Sequence, residues 1–293
     1  MVNPPGDLPN ASTSPVLCFV HIPKTAGTTL NAILIRQYGI RNIFVLSRHR
    51  PNRLPESFAQ LRERKRNRYR VLKGHFPYGF HEVLNRPYLY MTLFRNPVDR
   101  VISHYHYVSR SEKHYFHQKI DGELPELRTY IESGVVSETH NGQTHMIIGS
   151  LHRKPDEDMT ELAKQTLREK FAIVGTAERF DESLLVMRAI LGWKIPFYIS
   201  LNVTKNKPKR SQIDSDTLAL IEKYNQTDLE LYKLADQRLD ELLQEHVPFA
   251  KIQLFLFRLG NRLYSQFFKL SRNFPDLLKT RIDEDFFVRV ETK

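Results

Sequence analysis

At 293 residues the chain is long enough for one large domain, or a domain with an appendage, and its 41% apolar content supports a substantial core. A formal net charge of +11 points to anionic partners without choosing among nucleotides, acidic polysaccharide, nucleic acid and membrane surfaces. Cys18 is the single cysteine, which excludes an intramolecular disulfide and a cysteine-based zinc site.

Residues 1–15 are rich in Pro, Asn, Ser and Thr and lack the basic start and apolar centre of a secretion signal. No stretch approaches the roughly 18 uninterrupted apolar residues of a membrane span. The expectation is a soluble, cytoplasmic protein with a loose leader over 1–15.

Five apolar residues at 16–20 run into His21-Ile22-Pro23-Lys24-Thr25-Ala26-Gly27-Thr28-Thr29, after which Leu30, Ile33, Leu34 and Tyr38 recur at helical spacing. This is the pattern of a buried strand, a tight loop and an amphipathic helix. Such a loop sets main-chain N–H groups at the positive end of a helix dipole. Lys24 and the hydroxyls of Thr25, Thr28 and Thr29 add a cation and donors, so the loop suits a terminal phosphate or sulfate. A nucleoside-triphosphate loop places its Lys after the last Gly, whereas Lys24 precedes Gly27. Pro, Gly and Thr also serve in plain turns, but a Lys wedged between Pro23 and the Thr-rich run argues against that.

Further on, 42–46 and 69–73 are predicted strands, the second ending at Gly74-His75. Between them lies a basic run, Arg62 to Arg70, better read as a solvated face than as an acceptor surface. A strand over 87–94 leads into Arg95-Asn96-Pro97-Val98-Asp99-Arg100 and a helix to about residue 110. Asn96 can cap that helix, Pro97 suits its first position, and Asp99 complements its dipole. Short helices are expected over 124–133 and 141–148, then a helix over 157–170, a strand over 171–175, a helix over 181–191 and a strand over 197–202. A basic turn at 204–210 precedes two helices, 214–224 and 227–245. Alternating apolar strands and helices imply an α/β fold with a parallel β-sheet covered on both faces. In such sheets ligands bind at the carboxyl ends of the strands, where Lys24, His75, Arg95 and the 204–210 turn would converge.

Residues 247–293 differ, being a basic amphipathic segment expected to form helix. Packing on its own domain is favoured over peripheral membrane contact. The domain proper is then 16–246.

Three features carry chemistry. The Lys24–Thr29 loop would hold the transferred group. Arg95 and Ser103, the latter two helical turns beyond Asn96, form a second anion site, against the plainer view of a helix cap with an exposed ion pair. His75, at a strand end, could act as a base near neutral pH. His104, His106, His114 and His117 match no standard metal-ligand spacing. Mg²⁺-dependent phosphoryl transfer uses a carboxylate at a strand end, and none stands after 88–94 or 171–175. Metal-free transfer of a sulfuryl group, which carries less charge, is therefore the expectation.

These residues resemble a known family. His21–Thr29 is similar to the 5′-phosphosulfate loop of sulfotransferases that use 3′-phosphoadenosine-5′-phosphosulfate (PAPS), and Arg95–Tyr105 to their 3′-phosphate motif. The resemblance is closest to the branch of heparan and uronosyl 2-O-sulfotransferases and their bacterial relatives, where a Gly-His after the third strand supplies the base. The segments 141–144, 174–180 and 202–206 also resemble family segments, so the likeness covers about 16–245. It implies a P-loop-type three-layer α/β fold, with a central parallel β-sheet flanked by helices, and in-line, metal-free transfer to a hydroxyl, on a carbohydrate. By motif position, Lys24 would contact the sulfuryl group, and Thr25, Ala26, Gly27, Thr28 and Thr29 would cradle the 5′-phosphate. Arg95 and Ser103 would hold the 3′-phosphate, Thr204 and Lys205 would lie near the adenosine, and His75 would deprotonate the acceptor. The implied partner is a hydroxyl-bearing glycan rather than nucleic acid. Two other possibilities stay open, a P-loop kinase and a non-catalytic binder of acidic polysaccharide.

Overall fold

Five strands form one parallel sheet in the computed structural model, which describes residues 14–47, 54–110, 125–149, 158–199 and 210–270. From edge to edge the order is β2 (Ile43–Leu46), β3 (Val71–Gly74), β1 (Val16–Val20), β4 (Tyr88–Phe94) and β5 (Phe171–Thr176). β1, β2 and β3 are buried at every position. Helices cover both faces, which is why these strands are continuous apolar runs rather than alternating ones.

Side chains alternate between two cores, as the pleat requires. Leu17, Phe19, Val45, Met91 and Ile173 face α1 (Gly27–Tyr38) and α8 (Phe180–Leu191). Cys18, Val20, Phe44, Leu72 and Val174 face α2 (Pro55–Ala59), α6 (Gly142–Ile148) and α7 (Met159–Lys170). α10 (Gln226–His246) joins both, with Leu231 and Ala235 in the second core and Leu239, Leu242 and Leu243 in the first. It therefore runs along the β5 side and covers a sheet edge that would otherwise be open to pairing. A third cluster packs α4 (Pro97–Val108) and α5 (Leu127–Glu132) on α9 (Ser215–Tyr224), through Val101, Ile102, Tyr130 and Ile221.

The chain passes from β1 through α1 to β2 and back to β3, then crosses to β4 on the other side of β1. β1 is thus the switch point, where a crevice opens at the carboxyl ends of the strands. Val20 lies level with Gly74 and with Thr92. The segments that follow these strands consequently emerge side by side. Gly74 is required there, because a Cβ would stand 2.1 Å from the Leu46 carbonyl oxygen of β2.

The expected Asn96 cap is present. Asn96 accepts from the N–H groups of Val98 and Asp99 at 3.1 and 3.4 Å, and Gly192 ends α8 at φ 65°. One expectation changes. The strand placed over 197–202 is irregular backbone at 197–199, the rest lying outside the described residues. Phe197 instead stacks on Phe257 and Tyr264 of α11 (Ala250–Leu270), at 5.6 and 5.8 Å, so its apolar character serves helix packing. The basic run forms α3 (Glu63–Arg68), which buries nothing and leads into the amino end of β3, away from the crevice. Among the described residues no helix is long and apolar enough to cross a membrane.

Candidate active site at the carboxyl ends of the strands

The loop after β1 holds two non-glycine residues in the left-handed region, Lys24 at φ 71° and Ala26 at φ 64°. Each costs about 1–2 kcal/mol relative to ordinary backbone, so neighbouring groups must enforce the shape. The buried Thr25 hydroxyl donates to the Ile22 carbonyl at 2.8 Å, and the N–H groups of Thr29 and Leu30 donate to the Ala26 carbonyl at 3.1 and 3.2 Å. Strain that is held this firmly is characteristic of ligand loops. α1 has no acidic residue in its first turn, which leaves its positive end to an external anion.

His21 is the floor of this loop. A Cβ on Gly27 would stand 1.6 Å from His21 Nε2, so only glycine lets α1 begin against the ring. The His21 ring lies between Phe19, 5.3 Å away and nearly parallel, and His75, 4.3 Å away. Burial, then His75, Lys73 and Lys24, hold its pKa well below the usual histidine range, so it is neutral. The main-chain carbonyl of His21 accepts a hydrogen bond from His75 Nδ1 at 2.7 Å. A carbonyl cannot donate, so this bond fixes the His75 proton on Nδ1 and leaves Nε2 as the basic nitrogen.

Arg95, one residue past β4, donates from Nη1 to the Lys24 carbonyl at 3.0 Å. The Lys24 ammonium sits 4.4 Å from the centre of the Tyr107 ring on α4. Tyr107 is four residues beyond the half-buried Ser103, on the same helical face. Ser103 therefore lies on the side of α4 that meets Lys24.

A buried polar network fixes Arg95. Gln143 of α6 donates to the Arg95 carbonyl at 2.9 Å and accepts from the Arg95 N–H at 3.0 Å. The amino end of α6 is held by Asp228 of α10, which accepts from the N–H groups of Gln143 and Thr144 at 3.0 and 2.7 Å and from the Thr144 hydroxyl at 2.7 Å. Arg100 pairs with Asp228 at 3.5 Å, both side chains fully buried. Gly142 allows this, since a Cβ there would stand 3.0 Å from the guanidinium. Asn141 and Asn225 close the network through the bonds Asn141 N–H to Asn225 Oδ1 and Asp228 N–H to Asn141 Oδ1, each 3.1 Å. On the other side of Arg95, Glu178 accepts from the Asn96 N–H at 3.0 Å.

Lys24, Gly27, His75 and Arg95 are thus gathered around one crevice. The Thr25 hydroxyl is turned inward as a brace, which leaves the main chain of that residue for any ligand. Thr204 and Lys205 lie outside the described residues, as do His114 and His117. His104 is buried against Tyr130, whose hydroxyl lies 3.0 Å from its Nδ1, so it belongs to the core rather than to a partly exposed face. Among the described residues no group of three or more His, Cys, Asp or Glu side chains is arranged to hold a metal ion. Sequence reasoning gave no role to His21, Tyr107, Gln143 or Asp228. The signals present were the position of His21 at the strand end, the spacing of Tyr107 from Ser103 and the 141–144 segment.

The parallel α/β sheet thus carries a strained anion loop, a strand-end histidine and a strand-end arginine at its switch point. The family model of galactose-3-O-sulfotransferases matches residues 3–247, and the chain belongs to that family. It is 25% identical over 236 residues to human galactose-3-O-sulfotransferase 3, covering 74% of this chain and 54% of that protein. The bovine counterpart is 25% identical over 246 residues, covering 77% and 57%, and the mouse protein 24% over 236 residues, covering 74% and 54%. The chain spans about half the length of the curated relatives it matches. The sulfotransferase resemblance read from the motifs is therefore shown, and the branch returned is the galactose-3-O one.

Proposed function

We propose that the protein transfers the sulfuryl group of PAPS to a hydroxyl of a galactose-containing glycan. The observation that carries this is the His75–His21 bond, which makes His75 Nδ1 a donor and holds that ring beside a strained cationic loop. The residues present suit the donor, which is anionic at both its 5′-phosphosulfate and 3′-phosphate ends. Lys24 and the α1 amino terminus face one end, and Arg95 with Ser103 the other. When bound, the donor supplies an activated sulfuryl group that passes to the acceptor oxygen.

His75 Nε2 takes the acceptor hydroxyl proton as that oxygen attacks, an effect worth roughly 10²–10⁴ in rate. Lys24 offsets the negative charge that grows on the departing oxygen, where a metal ion would otherwise act. Gly27, Thr28 and Thr29 hold the 5′-phosphate through the helix start, with Thr25 and Ala26 shaping the turn. Arg95 and Ser103 bind the 3′-phosphate by charge-assisted hydrogen bonds.

The test is incubation with labelled PAPS and a panel of glycans with and without terminal galactose, alongside calorimetry with 3′-phosphoadenosine 5′-phosphate and with ATP–Mg²⁺. Label in galactose-bearing products and tight binding of the adenosine bisphosphate are expected. Tight ATP–Mg²⁺ binding with no binding of the bisphosphate would overturn the proposal in favour of a kinase. Polysaccharide binding that survives Lys24→Ala, with no transfer to any acceptor, would favour a non-catalytic binder.

A further inference from the structure

α11 is fastened to the domain along one face. Phe257 is buried and stacked on Phe197, and the Asn261 side chain accepts from the Tyr198 N–H at 2.7 Å. Tyr264 accepts from Arg36 at 2.8 Å, Ser265 donates to the Tyr198 carbonyl at 3.2 Å, and Arg258 pairs with Asp181 at 3.0 Å. Gly260 permits the close approach, since a Cβ there would meet the Phe197 ring at 2.6 Å.

The opposite face is apolar and open to solvent. Ile252, Phe255, Leu256, Leu259, Leu263 and Phe267 are 47% to 72% exposed and recur at intervals of three and four residues. Phe249, just ahead of the helix, is 80% exposed and sits at φ 54°, a conformation that costs a bulky residue free energy and yet turns its ring outward. Single exposed apolar residues need no explanation, but a continuous stripe along a 21-residue helix does.

Charge selects the occupant. Residues 250–270 contain Lys251, Arg258, Arg262 and Lys269 and no acidic residue. Two copies packed stripe to stripe would set like charges against each other, whereas anionic headgroups would neutralise them. We infer that α11 is a membrane-docking helix that lies in the plane of an anionic bilayer surface, with the Phe249–Phe267 stripe in the acyl boundary and Lys251 and Arg262 at the headgroups. It holds the enzyme on the surface without crossing it. This inference stands independently of the transfer chemistry.

The experiment is co-sedimentation of the full chain with vesicles of phosphatidylcholine alone and of phosphatidylcholine with phosphatidylserine, at low and high salt. Binding is expected to be roughly ten- to a hundredfold tighter to the anionic vesicles, with the preference lost at high salt. Leu259→Glu with Leu263→Glu should abolish binding while leaving the thermal transition of the protein in place, since both side chains are exposed. Lys251→Glu with Arg262→Glu should remove the anionic preference. No binding by the wild type, or equal binding by the double-glutamate variant, would overturn the inference. A dimer by light scattering that the same variant dissociates, without vesicle binding, would overturn it in favour of a second copy as occupant.

Discussion

His75 donates its Nδ1 proton to the main-chain carbonyl of His21 at 2.7 Å, while the two rings lie 4.3 Å apart. The catalytic candidate is thereby oriented by a main-chain carbonyl. His75→Ala is expected to lower turnover by roughly 10²–10⁴ and to leave affinity for 3′-phosphoadenosine 5′-phosphate unchanged. Steady-state rates with calorimetry check both, and full activity in the variant would remove His75 from the mechanism.

Tyr107 steadies the Lys24 ammonium through its ring face at 4.4 Å. A partly exposed contact of this kind is worth about 0.5–1 kcal/mol. Tyr107→Ala should therefore raise the KM for PAPS by roughly two- to fivefold, whereas Tyr107→Phe, which keeps the ring, should match the wild type. Identical KM values for the two variants would show that the ring contact has no bearing on the donor.

Gln143 clasps both main-chain polar groups of Arg95. Gln143→Leu leaves those groups without their partner, at a cost of about 1–3 kcal/mol. Loss of donor affinity larger than loss of turnover is expected, because Arg95 is assigned to donor binding. Calorimetric titration of the variant with the adenosine bisphosphate measures it.

Asp228 is a fully buried carboxylate that holds the start of α6 and pairs with Arg100. Asp228→Ala should destabilise the protein by about 3–5 kcal/mol, because it strands a buried guanidinium. Combining it with Arg100→Met should recover part of that loss in urea denaturation. A double variant as unstable as the sum of the two single variants would contradict the coupling.

His21 predicts an acid-sensitive fold. Its folded pKa lies well below the ordinary 6.5, mainly through burial. The unfolded chain therefore binds a proton that the folded protein refuses, and stability falls as the pH drops below about 6.5. The slope is about 1.4 kcal/mol per pH unit for each such group, and His140, also lowered by burial, adds in the same direction. Urea unfolding at pH 7.5, 6.0 and 5.0 should show this decline, with a shallower slope in His21→Gln. Equal slopes would mean that His21 is protonated in the folded state.

What could be read in the sequence was what is local. β1 to β5 follow from apolar runs of four to seven residues, and the caps at Asn96 and Gly192 follow from turn chemistry. The loop and its neighbours His75 and Arg95 could be brought together because each follows a strand in a parallel sheet. The network behind Arg95 could not. Asp228 is 84 and 85 residues from Thr144 and Gln143, and no periodicity marks which aspartate of a helix will be buried. Phe197 was misassigned for a related reason. An apolar run records that it is covered, not by what, and here the cover is a helix that lies more than fifty residues further on.

The Asp228 link also carries a temporal consequence. A ribosome delivers the loop, His75 and Arg95 ahead of Gln143, and the carboxylate that seats the Gln143 helix arrives only with α10. Domains acquire structure as their chain emerges, so the crevice is not braced behind Arg95 until α10 has docked. Until α10 docks, the nascent chain carries Lys24, His75 and Arg95 but lacks the carboxylate that seats the Gln143 clasp on Arg95.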